Sequence, residues 1–467
     1  MSLSEAQQRQ LEHLLAGLSS PAATKLLMEI ERAELKGVSQ ALPSHEMREA
    51  LRGVVAVGAA KPARTPTPLR LFCSRFEELL VDDATATKEI GRISRKTLPA
   101  VWGWLTSELM ADEAPALCSK LIQAVLSSDA ELKRVALAEL HRRGSVALRD
   151  GLAAADADAK SSKALVARLG SKAAVEDARE IAALTEFAAE ILETMSQFPA
   201  DIDSLPTRQR ELLRAKIGLF SEHMPHLTTH LLLIVLARMK RPWEIMGVLR
   251  QLNSASDDRI VSATSEGGVI GDRLLGEAER FAHRLEAADL SQTVAEQTLA
   301  ELGRVSDLLT GFTEELGVRK DGPWGERIYA CRRTASAAME RQLENALKTV
   351  RACLPVQRAG GASGVFTDRP ALTETVGPDA AAQAINASRL IMGCRDAARR
   401  FAFEAAYADT RAKAMKAACS YADGLLDELR AAGQGERENA GPLVDCVEAL
   451  LEVFTGGDNA AVFRRRA

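Results

Sequence analysis

From Pro378 to Arg430 the chain carries no second proline and only two glycines, Gly393 and Gly424. A stretch that long, made of helix-forming residues and almost free of breakers, has no good alternative to helix. Segments of the same character fill most of the remaining sequence. The fold class expected is all-α: an irregular multi-helix array of antiparallel helical hairpins with long C-terminal helices.

At 467 residues the chain exceeds the size at which a single hydrophobic core keeps growing, so two or three helical units are expected. Ala, Leu, Val and Ile carry an apolar content of 46%, while aromatics reach only 4%; small side chains suit close helix–helix contact. The charge is balanced, 60 basic against 64 acidic side chains for a net −4, which argues against a general polyanion binder. The seven cysteines, Cys73, Cys118, Cys331, Cys353, Cys394, Cys419 and Cys446, have no CxxC spacing and are odd in number. They read as reduced, mostly buried thiols and not as a disulfide frame. The first residues are polar, without an apolar leader core. The longest strongly apolar run, Leu231 to Ala237, is far below the roughly 20 residues that span a bilayer. A cytoplasmic location without a membrane span is expected.

Capping and breaker residues divide the chain. Residues 1–57 read as a small helical module, with Ser4 and Gln7 as a capping box, Ser20-Pro21 opening a second helix and Ser44 capping a third. Residues 58–68 form a Pro-rich basic linker. A helical domain over 69–200 is expected to contain helices near 97–110, 114–127, 130–143, 145–154, 162–169 and 174–197. A second, over 201–354, ends in a long hairpin whose arms carry the apolar stripes Leu290 to Leu316 and Ile328 to Val350, with coiled-coil-like packing. Residues 355–377 read as a long loop without apolar period. Residues 378–467 form the long-helix region, with a bend or break expected near Tyr407 to Thr410. No fixed-period repeat is present.

The densest titratable cluster is Glu222, His223, His226 and His230, holding three of the chain's seven histidines. His226 and His230 stand at i and i+4 on the helix that Pro225 begins, so both imidazoles share a face as a metal site requires. The general base that zinc peptidases place beside the first His is replaced by Leu227. A second candidate, for phosphate or nucleic acid, is the basic stretch Lys88, Arg92, Arg95 and Lys96 before Trp102 and Trp104. Its plainer reading is a solvated turn followed by a core tryptophan. Gly267-Gly268-Val269-Ile270-Gly271 lacks phosphate-loop spacing and reads as a tight turn between helices. Arg395, Arg399 and Arg400 alternate with Asp396 and Glu404, which suggests a salt-bridged face. Arg464 to Arg466 sit on an end expected to fray. Asp82-Asp83 and Asp257-Asp258 read as helix caps. No nucleophile elbow appears.

No cofactor is implied, and the catalytic residues, if any, are not identified by these motifs. The expected function is a cytoplasmic scaffold or adaptor acting through protein partners, with homodimerisation through the long helices as one form. The alternatives are an enzyme or small-ligand or metal protein with a site near His226 and His230, and phosphate or nucleic-acid binding through the basic patches. Nucleic acid is disfavoured by the acidic balance.

Overall fold

The structure, a computed structural model, describes residues 66–82, 88–127, 129–253, 258–287, 295–360, 366–374 and 376–467, with Leu15, Ala23, Leu26, Leu27, Glu29, Ile30, Met47 and Leu51 from the N-terminal region. Those N-terminal residues are helical, and Leu15, Ala23, Leu27, Ile30 and Leu51 are buried together with Leu26 and Met47 against them. The caps expected at Ser4, Ser20 and Ser44, most of the 58–68 linker, Asp83 and Asp257 lie outside the described residues.

The fold is all-α, with twenty α-helices and four short strands among the described residues. The chain divides into two compact units, one of residues 1–202 with 215–238, the other of residues 203–214 with 239–467. The first unit contains α1 (Pro68–Cys73), β1 (Leu80–Val81), β2 (Ile93–Ser94), α2 (Leu98–Trp104), α3 (Ala114–Leu126), α4 (Ala130–Asp156), α5 (Ala159–Leu169), α6 (Lys172–Glu186) and α7 (Ala188–Met195). The division runs through α8 (Thr207–His223), and α9 (Pro225–Arg238) closes the first unit. The second unit continues with α10 (Glu244–Leu252), α11 (Asp258–Ser262), α12 (Ser265–Ala287), α13 (Ala295–Leu316) and α14 (Pro323–Ala352). The hairpin β3 (Val356–Gly360) and β4 (Phe366–Pro370) follows, then α15 (Pro378–Gly393), α16 (Arg395–Phe401), α17 (Glu404–Ala431), α18 (Gln434–Asn439), α19 (Gly441–Thr455) and α20 (Gly457–Arg466).

Local chemistry explains the starts. Asp129 accepts from Leu132 N at 2.9 Å, Asp158 from Lys160 and Ser161 N, and Ser171 from Ala174 N at 3.0 Å, each satisfying a free amide of a first turn. Proline opens α1, α14 and α15, where its missing N–H costs nothing.

In several places tertiary packing displaces what local pattern suggests. The helices expected at 130–143 and 145–154 are one, α4, because Gly144 faces the Phe72 ring and continues the helix instead of ending it. The helix expected at 174–197 is two, broken at Phe187 (φ −110°, ψ 27°). The glycines expected to turn before Asp272 lie within α12, with Gly267 packed on the Val261 carbonyl and Gly271 on the Trp324 indole. The arms of the expected long hairpin do form, as α13 and α14, but α14 packs chiefly on α12 and α15, not along α13.

Residues 355–377 are not an open loop. Their described part holds the antiparallel β3–β4 hairpin, in register Val356↔Pro370 through Gly360↔Phe366. The Tyr421 hydroxyl donates to Pro355 O at 2.8 Å and β4 lies on α17, so tertiary contact supplies what the sequence alternation lacks. The long C-terminal segment is three helices, broken at Cys394 and at Ala402, ahead of the expected Tyr407 to Thr410. Phe401 and Phe403 are both buried, and side chains two apart cannot face one core from a straight helix. The left-handed Ala402 (φ 62°) turns the chain so that both point inward. The terminal arginines do not fray: they end α20, which packs on α19 with Ala460 and Phe463 buried and Arg464 paired with Asp445.

Candidate functional site

Asp177 and Glu180 lie one turn apart on α6, and Asp177 falls within the buried stripe of Ala174, Ala178, Ile181 and Leu184. A carboxylate on such a face requires partners. They come from the segment joining β1 to β2 and from α9. Lys88 Nζ lies 2.6 Å from Asp177 Oδ1 and 3.1 Å from Glu180 Oε2, and donates also to Arg92 O at 2.8 Å. Asp177 Oδ2 accepts from Ser94 N, and both Glu180 oxygens accept from Gly91 N, all at 3.2 Å.

Gly91 is required here for two reasons. Its φ of +67° is a left-handed conformation, and a Cβ would sit in collision with the Leu233 side chain of α9; glycine alone meets both conditions. That close approach brings the segment under the carboxylates.

From the other side, His230 Nε2 stands 3.7 Å from Glu180 Oε1, longer than a hydrogen bond. The same nitrogen is buried with no hydrogen-bond partner, while Nδ1 faces His226 O at 3.3 Å. Side-chain exposure falls from 18% at Lys88 through 13% at Glu180 and 9% at His230 to 4% at Asp177. Burial pushes the Glu180 carboxyl up, but the His230 imidazole, the Lys88 ammonium and the Gly91 amide outweigh it and hold it below its ordinary value.

Two separate expectations from the sequence thus meet in one place, since Lys88 from the basic stretch and His230 from the histidine cluster converge on Glu180. The rest of each group goes elsewhere. Arg95 pairs with Glu77 at 2.8 Å, Arg92 with Glu89 at 3.8 Å, and Lys96 is exposed. Trp104 is buried, whereas Trp102 is half-buried against Phe72, ring centroids 5.3 Å apart. Glu222 and His223 are exposed beside one another. His226 lies edge-on to Phe187 at 5.7 Å, on the same side of α9 as His230 but without a shared point of convergence. Among the described residues no three His, Cys, Asp or Glu side chains are grouped as metal ligands. Arg399 pairs with Glu404 and Arg400 with Asp307.

The sequence reading missed Asp177 and Glu180. The available signal was Asp177 itself, a lone acid within an apolar helical stripe. The chemistry of the cluster is that of an internal lock, in which a cation and two carboxylates satisfy one another and fix the β1–β2 connection to α6 and α9. The second unit holds an open cleft of about 510 Å³ lined by Arg241, Trp243, Asp307, Thr310, Gly311, Glu314 and Arg400, where positive and negative side chains alternate. No helix among the described residues is long and apolar enough to cross a membrane. Comparison with known protein families, curated proteins and solved structures gave no match.

Proposed function

We propose that this chain is a helical scaffold that binds another protein through the outward face of α4. The observation that carries this reading is the exposure of Leu132, Val135 and Val146, at 45%, 50% and 40%, on a helix of 27 residues. At about 100° per residue the three lie within roughly 60° of one another, and at 1.5 Å per residue they span about 21 Å. The opposite face already buries Leu137, Leu140, Leu148 and Leu152, so the outward row is surplus to the core. Glu139 lies in the same sector between Val135 and Val146 and is paired with Arg142 and Arg143, while to the sides Arg134 pairs with Glu131 and Arg149 with Glu186. Exposed apolar side chains set among neutralised charges suit an amphipathic partner helix. The polar cluster weighs against the phosphate or nucleic-acid alternative, because Lys88 is consumed by internal partners.

The test compares full-length protein with Leu132→Asp/Val135→Asp by native co-purification and cross-link mapping. The expected result is a defined partner cross-linked to α4 and lost in the variant, with melting temperature unchanged. A monomer without a specific partner, or a partner retained by the variant, would sink the proposal.

A further inference from the structure

The second unit contains a cysteine pair that its neighbours set apart from the other thiols. Cys353 caps the end of α14, Cys446 lies in α19, and their Sγ atoms are 3.3 Å apart although 93 positions separate them in sequence. Both are buried, at 3% exposure. We propose that Cys353 and Cys446 are a redox modification site, oxidised to an intrachain disulfide by a peroxide. A disulfide needs sulfurs about 2.05 Å apart, so closing the gap asks for small side-chain rotations and no refolding of either helix.

The chemistry favours this pair over the other cysteines. Burial, joined by Glu77 at Cys73 and Glu279 at Cys331, raises the thiols of Cys73 and Cys394 to about 12 and that of Cys331 to about 11, which keeps them protonated and unreactive. Cys353 moves the other way: the Cys446 S–H bond stabilises its thiolate and lowers it, against a smaller opposing effect of burial. Either thiol of the pair can donate to the other, so the reaction runs with Cys353 attacking and Cys446 resolving or with the roles exchanged, and both give the same disulfide.

In the first step the Cys353 thiolate attacks a peroxide oxygen and the O–O bond breaks. For hydrogen peroxide this gives a sulfenic acid on Cys353 and hydroxide, which leaves as water after taking a proton. In the second step the Cys446 sulfur attacks the Cys353 sulfur, the S–O bond breaks, and the leaving hydroxide takes the Cys446 proton. Two thiols and one hydrogen peroxide become one disulfide and two waters, with two electrons passing from sulfur to oxygen. The bond ties the end of α14 to α19 and closes a loop that contains β3, β4 and α15 to α18. Loop closure of that length restricts the unfolded chain and raises the melting temperature.

Full-length protein is titrated with hydrogen peroxide, alkylated in denaturant, and examined by intact mass and by peptide mapping without reduction. The expected result is a species carrying two fewer alkyl groups than the reduced protein, a cross-linked peptide containing Cys353 and Cys446, reversal by dithiothreitol, and a melting temperature several degrees higher when oxidised. Full alkylation of Cys353 and Cys446 at a peroxide dose that oxidises the half-buried Cys118 and Cys419 would overturn the proposal. So would recovery of Cys353 as sulfinic acid, or cross-links joining other cysteines. Cys446→Ser supplies a second check: Cys353 is then trapped by a sulfenic-acid reagent, and the wild-type map decides the matter even where that variant folds poorly.

Discussion

The Lys88 ammonium lies 2.6 Å from the Asp177 carboxylate, joining residues 89 positions apart. Only 4% of the Asp177 side chain is exposed, so removal of the cation leaves a charge that water cannot reach. Lys88→Met is expected to cost about 2–3 kcal/mol, below the full value for a buried pair because Lys88 is partly exposed. Chemical denaturation of the full chain reads this loss. A cycle with Asp177→Asn should recover part of it, since the amide no longer needs the cation; additive losses would contradict a coupled pair.

Gly91 sets the geometry of the same lock. Gly91→Ala forces a side chain into a left-handed conformation and against Leu233, with an expected cost of about 2–4 kcal/mol. The loss should overlap that of Lys88→Met in the double variant, because both release the carboxylates. Wild-type stability for Gly91→Ala would show that the turn at this position is not held as described.

His141 gives the first unit a pH dependence. Its ring is buried, faces Phe72 O at 2.9 Å through Nε2, and lies beside the Phe72 ring. Burial lowers its pKa from 6.5 to about 4, with the Phe72 carbonyl opposing and Arg75 assisting. The unfolded chain therefore binds the extra proton between those values and the folded one does not, so stability is present above pH 6.5 and falls as pH drops toward 4. At 1.36 kcal/mol per unit the loss amounts to about 3 kcal/mol. His141→Gln should flatten this limb while leaving the loss below pH 4.5, the ordinary value from which Glu180 is lowered. An unchanged pH profile would exclude His141 as its origin.

How far the sequence reveals such arrangements depends on the range of the forces involved. Asp129, Asp158 and Ser171 are readable because a cap acts within three residues. The break at Ala402 is not, since it serves two phenylalanines that reach the core only once α13 and α14 pack on α16. The β3–β4 hairpin depends on α17 and on Tyr421, both distant in sequence. Lys88 and His230 were each visible as candidate residues, but their common carboxylate was not, because the link is made by the approach of α6, α9 and the β1–β2 connection. Asp177 was the missed clue: an acid in an apolar stripe implies a buried cation without saying where it lies in the chain.

The packing of α12 on α14 offers a last test. Gly271 leaves room for the Trp324 indole, and a Cβ at that position would lie in collision with the ring. Trp324 is buried at 2% exposure and meets the Phe312 ring edge-on at 5.3 Å, so it has little space to retreat. Gly271→Val should therefore cost about 2–3 kcal/mol by overpacking, despite the lower helix propensity cost of removing a glycine. Because the indole is displaced toward solvent, tryptophan emission should shift to longer wavelength in the folded protein. Trp324→Phe in the same background removes the bulk that collides and should restore part of the stability, whereas an equal loss in both backgrounds would mean that Gly271 is needed for a reason other than this ring.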